Sequence, residues 1–292
     1  MTFVTRFAPS PTGLLHLGHA YSAMSAFDQA REAGGRFLLR IEDIDQTRSR
    51  PEFESAIEQD LAWLGLEWET PARRQSEHFA DYDVALSRLR GLGVVYRCFL
   101  TRREIAEAST QAPHGEGEGP DGVIYRGPVN QMSRDEEEAR LTQGQPFAWR
   151  LSMNYSQDLL GEEFSQMDFE EEGSGPNGEH GTVRARPNLA GDVIIARKDC
   201  PASYHLAVTH DDALQGVTHI TRGEDLFAST HVHVLLQRLL GLPTPVYRHH
   251  RLLTDESGKR YAKRDRALTL ASLRASGASP ADIRNRIGLS GP

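Results

Sequence analysis

The sequence predicts an α/β fold built on a nucleotide-binding sheet and interrupted by a long insertion. Three observations predict it. A short β-prone run, Phe3 to Phe7, passes through a loop with two prolines and a glycine into His16-Leu17-Gly18-His19 and a helix-patterned stretch. A second β-prone run and two further helical patterns then follow as far as residue 91, the helical ones ending at glycines. Past about residue 190, β-type and helical runs resume after a region of loose pattern.

The first strand leads to a tight turn and a helix start that carries two imidazoles. Backbone N–H groups and the dipole at a helix N-terminus attract phosphate. His16 and His19, three apart, lie on one side of the first turn and can donate hydrogen bonds to one polyanion. Gly18 removes a side chain between them, so a base or ribose can lie against the backbone. Tyr21 to Ala33 has helical apolar spacing and stops at Gly34-Gly35. Phe37 to Ile41 is a compact β-prone run, which puts Glu42 at the C-terminal end of a strand, where open α/β sheets bind ligands.

Helical patterns follow at about 51–65 and 77–91. From Val94 the pattern loosens, and the Gly/Pro/acidic stretches at 109–122 and 171–182 read as mobile loops. Asp192 to Arg197 and Tyr204 to Asp211 read as β-type runs, and His231 to Leu240 as a helix closed by Gly241. The basic run Lys259 to Arg266 follows the turn Asp255-Glu256-Ser257-Gly258, a cationic loop that can close on phosphates. No internal repeat is visible.

With 292 residues the chain can bury one large core plus an inserted subdomain. No apolar run approaches the ~20 residues of a membrane span, and no basic-then-apolar signal opens the chain. Cys98 and Cys200 make no disulfide framework, so the cytoplasm is the expected compartment and no membrane association is expected. A net charge of −8 argues against binding nucleic acid by bulk electrostatics. A nucleic-acid partner needs a local basic surface, for which Arg73-Arg74, Arg102-Arg103, Arg248 to Arg251 and Lys259 to Arg266 are the candidates.

Arg6 to His19 resembles the HIGH region of class I aminoacyl-tRNA synthetases, in the form used by the glutamyl subgroup. Arg260-Tyr261-Ala262-Lys263-Arg264 resembles a degenerate KMSKS loop, with the second lysine kept as Lys263. Arg40-Ile41-Glu42-Asp43-Ile44-Asp45 and Arg222-Gly223-Glu224-Asp225-Leu226 fit the same subgroup in order and spacing. The resemblance covers nearly the whole chain, with gaps at about 106–122 and 170–190. It implies a Rossmann-type parallel sheet interrupted by an inserted α/β subdomain. Residues 1–95 would form the first half of the catalytic domain and 96–190 an acceptor-stem-type insertion. Residues 191–250 would form the second half, and 251–292 the KMSKS-like loop with short C-terminal helices.

About 25 residues, Leu268 to Pro292, follow that loop, too few for an anticodon-binding domain. The resemblance is therefore to a truncated paralogue of the glutamyl enzymes. Such a paralogue activates L-glutamate with ATP and attaches it to the queuosine base in the anticodon arm of tRNA(Asp). It implies a monomer without an obligate protein partner.

Adenylation needs no enzyme nucleophile; catalysis is positioning plus charge neutralisation. The resemblance gives His16 and His19 the phosphate oxygens, Gly18 a contact to the nucleotide, and Lys263 the leaving pyrophosphate, with Mg2+ sharing the charge. Glu42 suits the substrate ammonium, while Arg6 and Arg222 offer planar forks for carboxylates. Tyr204 closes the glutamate pocket, and Phe7, Ala8, Pro9 and Ser10 add wall, backbone and hydroxyl contacts. The structural alternative is a strand-end ion pair between Glu42 and Arg6. Asp43 and Asp45 read as structural or solvent-facing; His205, His210, Asp211 and Asp212 form a ligand-like cluster at positions that bind no metal in the family.

In the insertion, the paralogue often carries zinc on a Cys-x-Cys pair followed by a Tyr and a Cys. Here only Cys98 and Tyr125 match, and two ligands cannot close a tetrahedral site. No zinc or other resident metal is expected. Leu100 and Val129 would replace it with an apolar contact, and His114 is the one substitute ligand. Two other readings compete. A nucleotidylyltransferase uses His-x-Gly-His on a related fold but lacks the Arg6 to Gly13 loop. A non-catalytic tRNA-binding paralogue is favoured by Arg260, Tyr261 and Ala262 in the KMSKS-like loop.

Overall fold

The strands and helices read in the first 91 residues are present in the computed structural model, which describes residues 2–110, 118–119, 122–127, 132–197, 200–253 and 269–289. A third strand at 69–74, which the sequence did not mark, joins them. In order these are β1 (Val4–Phe7), α1 (Leu17–Glu32), β2 (Arg36–Ile41), α2 (Pro51–Trp63), β3 (Glu69–Arg74) and α3 (Phe79–Gly91). The three strands are parallel, with β2 between the other two. Alternation along β2 sends Phe37, Leu39 and Ile41 to one face and Leu38 and Arg40 to the other. The first face packs under Ala20, Ala23 and Met24 of α1 and Ile57 and Leu61 of α2. Leu38 joins a second core with Tyr82, Leu86 and Leu89 of α3. A parallel sheet buried on both faces follows from this double set of apolar residues.

The interrupting region holds β4 (Val95–Cys98), α4 (Arg102–Thr110), β5 (Glu118–Gly119), β6 (Gly122–Val123), α5 (Arg134–Thr142), β7 (Ala148–Leu151), α6 (Met153–Leu160) and α7 (Glu162–Gln166). It continues through β8 (Asp168–Glu171), β9 (Gly181–Arg184) and β10 (Ile194–Arg197). Strands β4, β7 and β10 make a separate antiparallel sheet in the order β10-β7-β4. The chain then forms α8 (Tyr204–Leu214), β11 (His219–Gly223), α9 (Phe227–Leu240), β12 (Val246–His250), α10 (Leu270–Ala275) and α11 (Pro280–Ile287).

Strand β11 runs parallel to β12, and two bonds, from Thr218 nitrogen to Val4 oxygen and from Val4 nitrogen to the Thr218 side-chain Oγ1, bring it beside β1. The hairpin β8–β9 adds to the far edge, where Glu172 donates to Tyr247 oxygen at 2.8 Å. The segment 171–182 is thus not a free loop. Glu171 is buried, and Ser174 and Gly175 nitrogens bond to His249 and Glu179 oxygens.

A second correction concerns Tyr204 to Asp211, which is helix rather than strand. Ser203 caps it by accepting from Leu206 nitrogen, and His205, Leu206, Ala207, Val208, Thr209, Asp211 and Asp212 are all buried. A helix buried on nearly every side has no polar stripe, so its short apolar run mimics a strand. The helix expected at His231 to Leu240 begins earlier, at Phe227, and ends at Gly241 in the left-handed region, φ 65°.

Helices α10 and α11 place Leu270, Leu273, Ile283 and Ile287 in the core beneath α1. Arg284 grips Asp28 of α1 with two bonds of 2.7 and 2.8 Å, and Leu270 nitrogen donates to Leu15 oxygen. The chain leaving the basic run is thereby tied to the loop before α1. Among the described residues no helix is long and apolar enough to cross a membrane.

Candidate active site

Strand β1 connects through α1 to β2 on one side and lies beside β11 on the other. That reversal of direction opens a crevice at the carboxyl ends of the strands. A cavity of about 590 Å³ occupies it. It is lined by Arg6 to Ser10 from the end of β1 and the loop after it, by Glu42 beyond β2, by Tyr204 of α8 and by Arg222 of β11. His16, Gly18 and His19 line its mouth. Of the predicted site residues, Lys263 lies outside the described residues, as do the rest of the basic run, His114 and Val129.

The two histidines cap their own helix. His16 is the N-cap of α1, with Nδ1 accepting from Gly18 nitrogen at 3.1 Å, while His16 nitrogen donates to His19 Nδ1 at 3.2 Å. An imidazole nitrogen that accepts carries no hydrogen, so both neutral rings have it on Nε2. Two Nε2–H donors at a helix N-terminus suit phosphate oxygens. The rings lie 3.8 Å apart between centroids. A Cβ at residue 18 would stand 3.0 Å from His16 Cε1, so the glycine serves the cap as well as ligand approach.

Arg6 does not pair with Glu42. Its Nε and Nη2 reach Asp212 of α8 at 2.9 and 3.3 Å. Glu42 instead faces Arg40 at 3.1 Å, and Arg40 also donates to Asp212 at 2.7 Å. Burial pushes the Glu42 carboxyl above its usual range, against the pull of Arg40 and Arg6. For Asp212 burial also acts upward, but Arg40 and Arg6 prevail and hold it low. Arg40, fully buried, was not among the predicted site residues. Its signal was a charge two residues before Glu42, on the same face of an apolar strand.

Arg222 has a different environment. Nε donates to His249 Nε2 at 3.1 Å, Nη2 to Thr230 Oγ1 at 2.6 Å, and Nη1 to His233 Nδ1 at 3.3 Å and Tyr204 Oη at 3.4 Å. Its guanidinium lies 5.2 Å from the Tyr247 ring centroid. Every partner is uncharged. Because arginine only donates, the facing nitrogens of His249 and His233 are bare, and His233 Nε2–H donates to His205 Nδ1 at 3.0 Å. Burial first, then Arg222, lowers His233 well below the usual histidine range; burial dominates in lowering His249 to about 4. Burial raises the Tyr204 hydroxyl, keeping it a neutral donor. His250 and Ser22, bonded at 2.7 Å, also line the cavity; the sequence marked His250 only as part of a basic surface and Ser22 not at all.

Asp43 accepts from Ser76 nitrogen and Oγ, and Asp45 from Thr47 and Arg48, which makes both structural. The basic candidates Arg73 and Arg74 are engaged by Asp81 and Asp211 and by Glu54, and His249 is buried; none of these is open surface. Arg102, Arg103, Arg248 and Arg251 are exposed. Cys98 and Cys200 are free and buried. Leu100 is 41% exposed, and Val129, the other half of the expected apolar contact, lies outside the described residues. Tyr125 lies against the Cys98 thiol, and burial with that contact pushes its hydroxyl up to about 12. Among the described residues no group of three or more His, Cys, Asp or Glu is placed to hold a metal ion.

A family model described as class I tRNA synthetases (E and Q), catalytic domain, matches residues 2–292. The chain belongs to this family. The synthetase is 51% identical over 289 residues to the glutamyl-Q tRNA(Asp) synthetase of Rhodobacter capsulatus, covering 98% of this chain and 100% of that one. It is 42% identical to the protein of the same name from Symbiobacterium thermophilum, covering 95% and 83%. The crystal structure of the glutamate-tRNA synthetase of Elizabethkingia anophelis superposes with a TM-score of 0.72 at 27% identity, covering 91% of this chain and 53% of that chain. The synthetase thus spans about half of that solved chain. The expected α/β class I fold and ligase class are met.

Proposed function

We propose that this synthetase condenses L-glutamate with ATP to glutamyl-adenylate without tRNA, and passes the glutamyl group to the queuosine base at the first anticodon position of tRNA(Asp). One observation carries the glutamate part. Of the two arginines lining the cavity, Arg6 is neutralised by Asp212, whereas Arg222 meets no carboxylate at ion-pair distance among the described residues. Glu42, which Arg40 holds through one oxygen, also lines the cavity, so a guanidinium without a carboxylate and a carboxylate with a second oxygen meet a substrate carrying a side-chain carboxylate and an ammonium. Arg222 with Tyr204 takes the side-chain carboxylate, and Glu42 takes the ammonium.

Phe7, Ala8, Pro9 and Ser10 hold the substrate backbone so that an α-carboxylate oxygen reaches the α-phosphorus of ATP and pyrophosphate leaves. His16 and His19 donate Nε2–H to phosphate oxygens, Gly18 lets the nucleotide lie against the backbone, and Lys263 stabilises the leaving group. Magnesium arrives as part of the ATP substrate. The names of the relatives support the acceptor. An adjoining cavity of about 620 Å³ shares Ser10, Glu42 and Tyr204 with the glutamate pocket and reaches toward β10, room for a nucleoside to meet the adenylate.

The test is glutamate-dependent exchange of labelled pyrophosphate into ATP, followed by transfer of labelled glutamate to tRNA(Asp) with and without queuosine. The reading expects exchange without tRNA and transfer only to the queuosine-bearing tRNA. Exchange that requires tRNA, or that proceeds without glutamate, would overturn it, and a non-catalytic paralogue would show none.

A further inference from the structure

A buried guanidinium whose immediate partners are all neutral needs its charge balanced nearby. The carboxylate bonded into its network is Glu171, one imidazole away. His249 Nε2 faces Arg222 at 3.1 Å, and His249 Nδ1 stands 2.5 Å from Glu171 Oε2. Glu171 Oε1 accepts from the backbone nitrogens of His249 and Gly173, both at 2.8 Å. Both side chains are sealed from solvent. With Nε2 bare toward Arg222, the hydrogen of the His249 ring is on Nδ1 and is donated to Glu171. Glu171 cannot serve as a direct partner of Arg222, because the ring lies between them.

We propose that Glu171 and His249 are a positioning dyad that orients Arg222 and balances its charge from one ring away, leaving the guanidinium available to the side-chain carboxylate of the substrate. The inference rests on the glutamate pocket proposed above. A carboxylate set directly on Arg222 would occupy the donors the substrate needs, as Asp212 occupies those of Arg6. The intervening imidazole removes that competition. One guanidinium N–H lies beyond the four bonds made, and the 3.4 Å contact to Tyr204 is weak enough to yield. The dyad makes Glu171 a determinant of glutamate preference without touching glutamate.

The chemistry of an amide makes the proposal testable. Glutamine at 171 has one acceptor oxygen. If that oxygen keeps the two backbone N–H groups, its NH2 faces His249 Nδ1 and moves the ring hydrogen to Nε2, against Arg222 Nε–H. Glu171→Gln should raise the KM for glutamate in pyrophosphate exchange about tenfold or more, as loss of a charge-assisted bond does, and leave the ATP KM within about twofold. The preference for glutamate over glutamine should fall by a similar factor. His249→Gln, whose amide can accept from Arg222 and donate to Glu171, should retain most of the preference, and His249→Leu should lose it.

If Glu171→Gln and His249→Leu lower only the melting temperature, the dyad merely anchors the β8–β9 hairpin and the proposal falls. Should Glu171→Gln fail to fold, the contrast between His249→Gln and His249→Leu decides. Arg222→Ala in the same assay separates the two ideas. An effect of Arg222→Ala without one from the dyad variants sinks the dyad alone, and no effect of Arg222→Ala sinks the pocket as well.

Discussion

Arg6 and Arg222 stand on adjacent strands and line one cavity, and each is 5% exposed, yet one is clasped by a carboxylate and the other by neutral groups. Asp212 receives Arg6 and Arg40, which ties β1, β2 and α8 together. Its neighbour Asp211 receives Arg73, Gln75 and Tyr82, and so joins β3 and α3 to the same helix. Ion pairing spends the charge on architecture. Around Arg222 the acceptors are Thr230, Tyr204 and two imidazoles, with the balancing anion set back behind His249. The first cluster is a frame and the second is a receptor.

The largest effect should come from breaking the frame. Asp212→Asn leaves two buried guanidinium groups facing an amide. Stranding a buried ionic partner costs about 3–5 kcal/mol, a large part of a typical domain's stability. Urea unfolding should show that loss, with soluble yield falling in parallel. A shift of the midpoint too small to resolve would mean that water relaxes the cluster and the contrast with Arg222 is empty.

Arg222→Ala should act on binding instead. Losing hydrogen bonds to a charged group costs about 1.5–3 kcal/mol, or roughly 10- to 150-fold in the glutamate KM. The ATP KM should barely move, and the fold should persist, because Glu171 keeps its backbone donors and His249. Equal losses for both substrates would make Arg222 part of the frame.

The receptor side should also be the acid-sensitive side. Burial lowers His249 from 6.5 to about 4 and His233 well below its usual value, so the folded state binds their protons less tightly than the unfolded chain. Their stabilising contribution is complete above pH ~6.5 and is lost as pH falls toward 4. For His249 alone the span of pKa corresponds to about 3 kcal/mol. Unfolding free energies measured between pH 7 and 4.5 should fall steadily. A flat profile, or one unchanged by His249→Gln, would show that these rings are hydrated in the native state.

The frame was less legible in the sequence than the receptor. Strand β2, with Glu42 at its end, follows from a compact β-prone run, the histidine-bearing start of α1 from a proline- and glycine-containing turn before helical apolar spacing, and Arg222 from its motif. Arg40 escaped because a charged residue in a strand gives no sign of whether it faces solvent or a buried aspartate. Asp211 and Asp212 belong to a helix whose all-round burial erased its periodicity. Glu171 fell in an acidic, glycine-rich stretch where composition points to a loop. Only long-range pairing with His249, 78 residues on, gives it a role.

The smallest effect sharpens the comparison from outside both clusters. Asp60 of α2 is fully buried and stands 2.8 Å from Arg274 of α10, yet neither carboxylate oxygen meets a donor in hydrogen-bond geometry among the described residues. Burial pushes its pKa up to about 6, with Arg274 pulling the other way. The folded state therefore holds this proton more tightly than the unfolded chain. The ionised carboxylate costs stability above pH ~6, and that cost disappears as pH falls below about 4, the reverse of the histidines. Asp60→Asn removes the charge, and Arg274, 31% exposed, can turn to water. The variant should be about 1 kcal/mol more stable than the parent at pH 8 and nearly equal to it at pH 4. Destabilisation by the same amount at both pH values would mean that the ion pair anchors α10 by more than the buried charge costs, and that this pair too belongs to the frame.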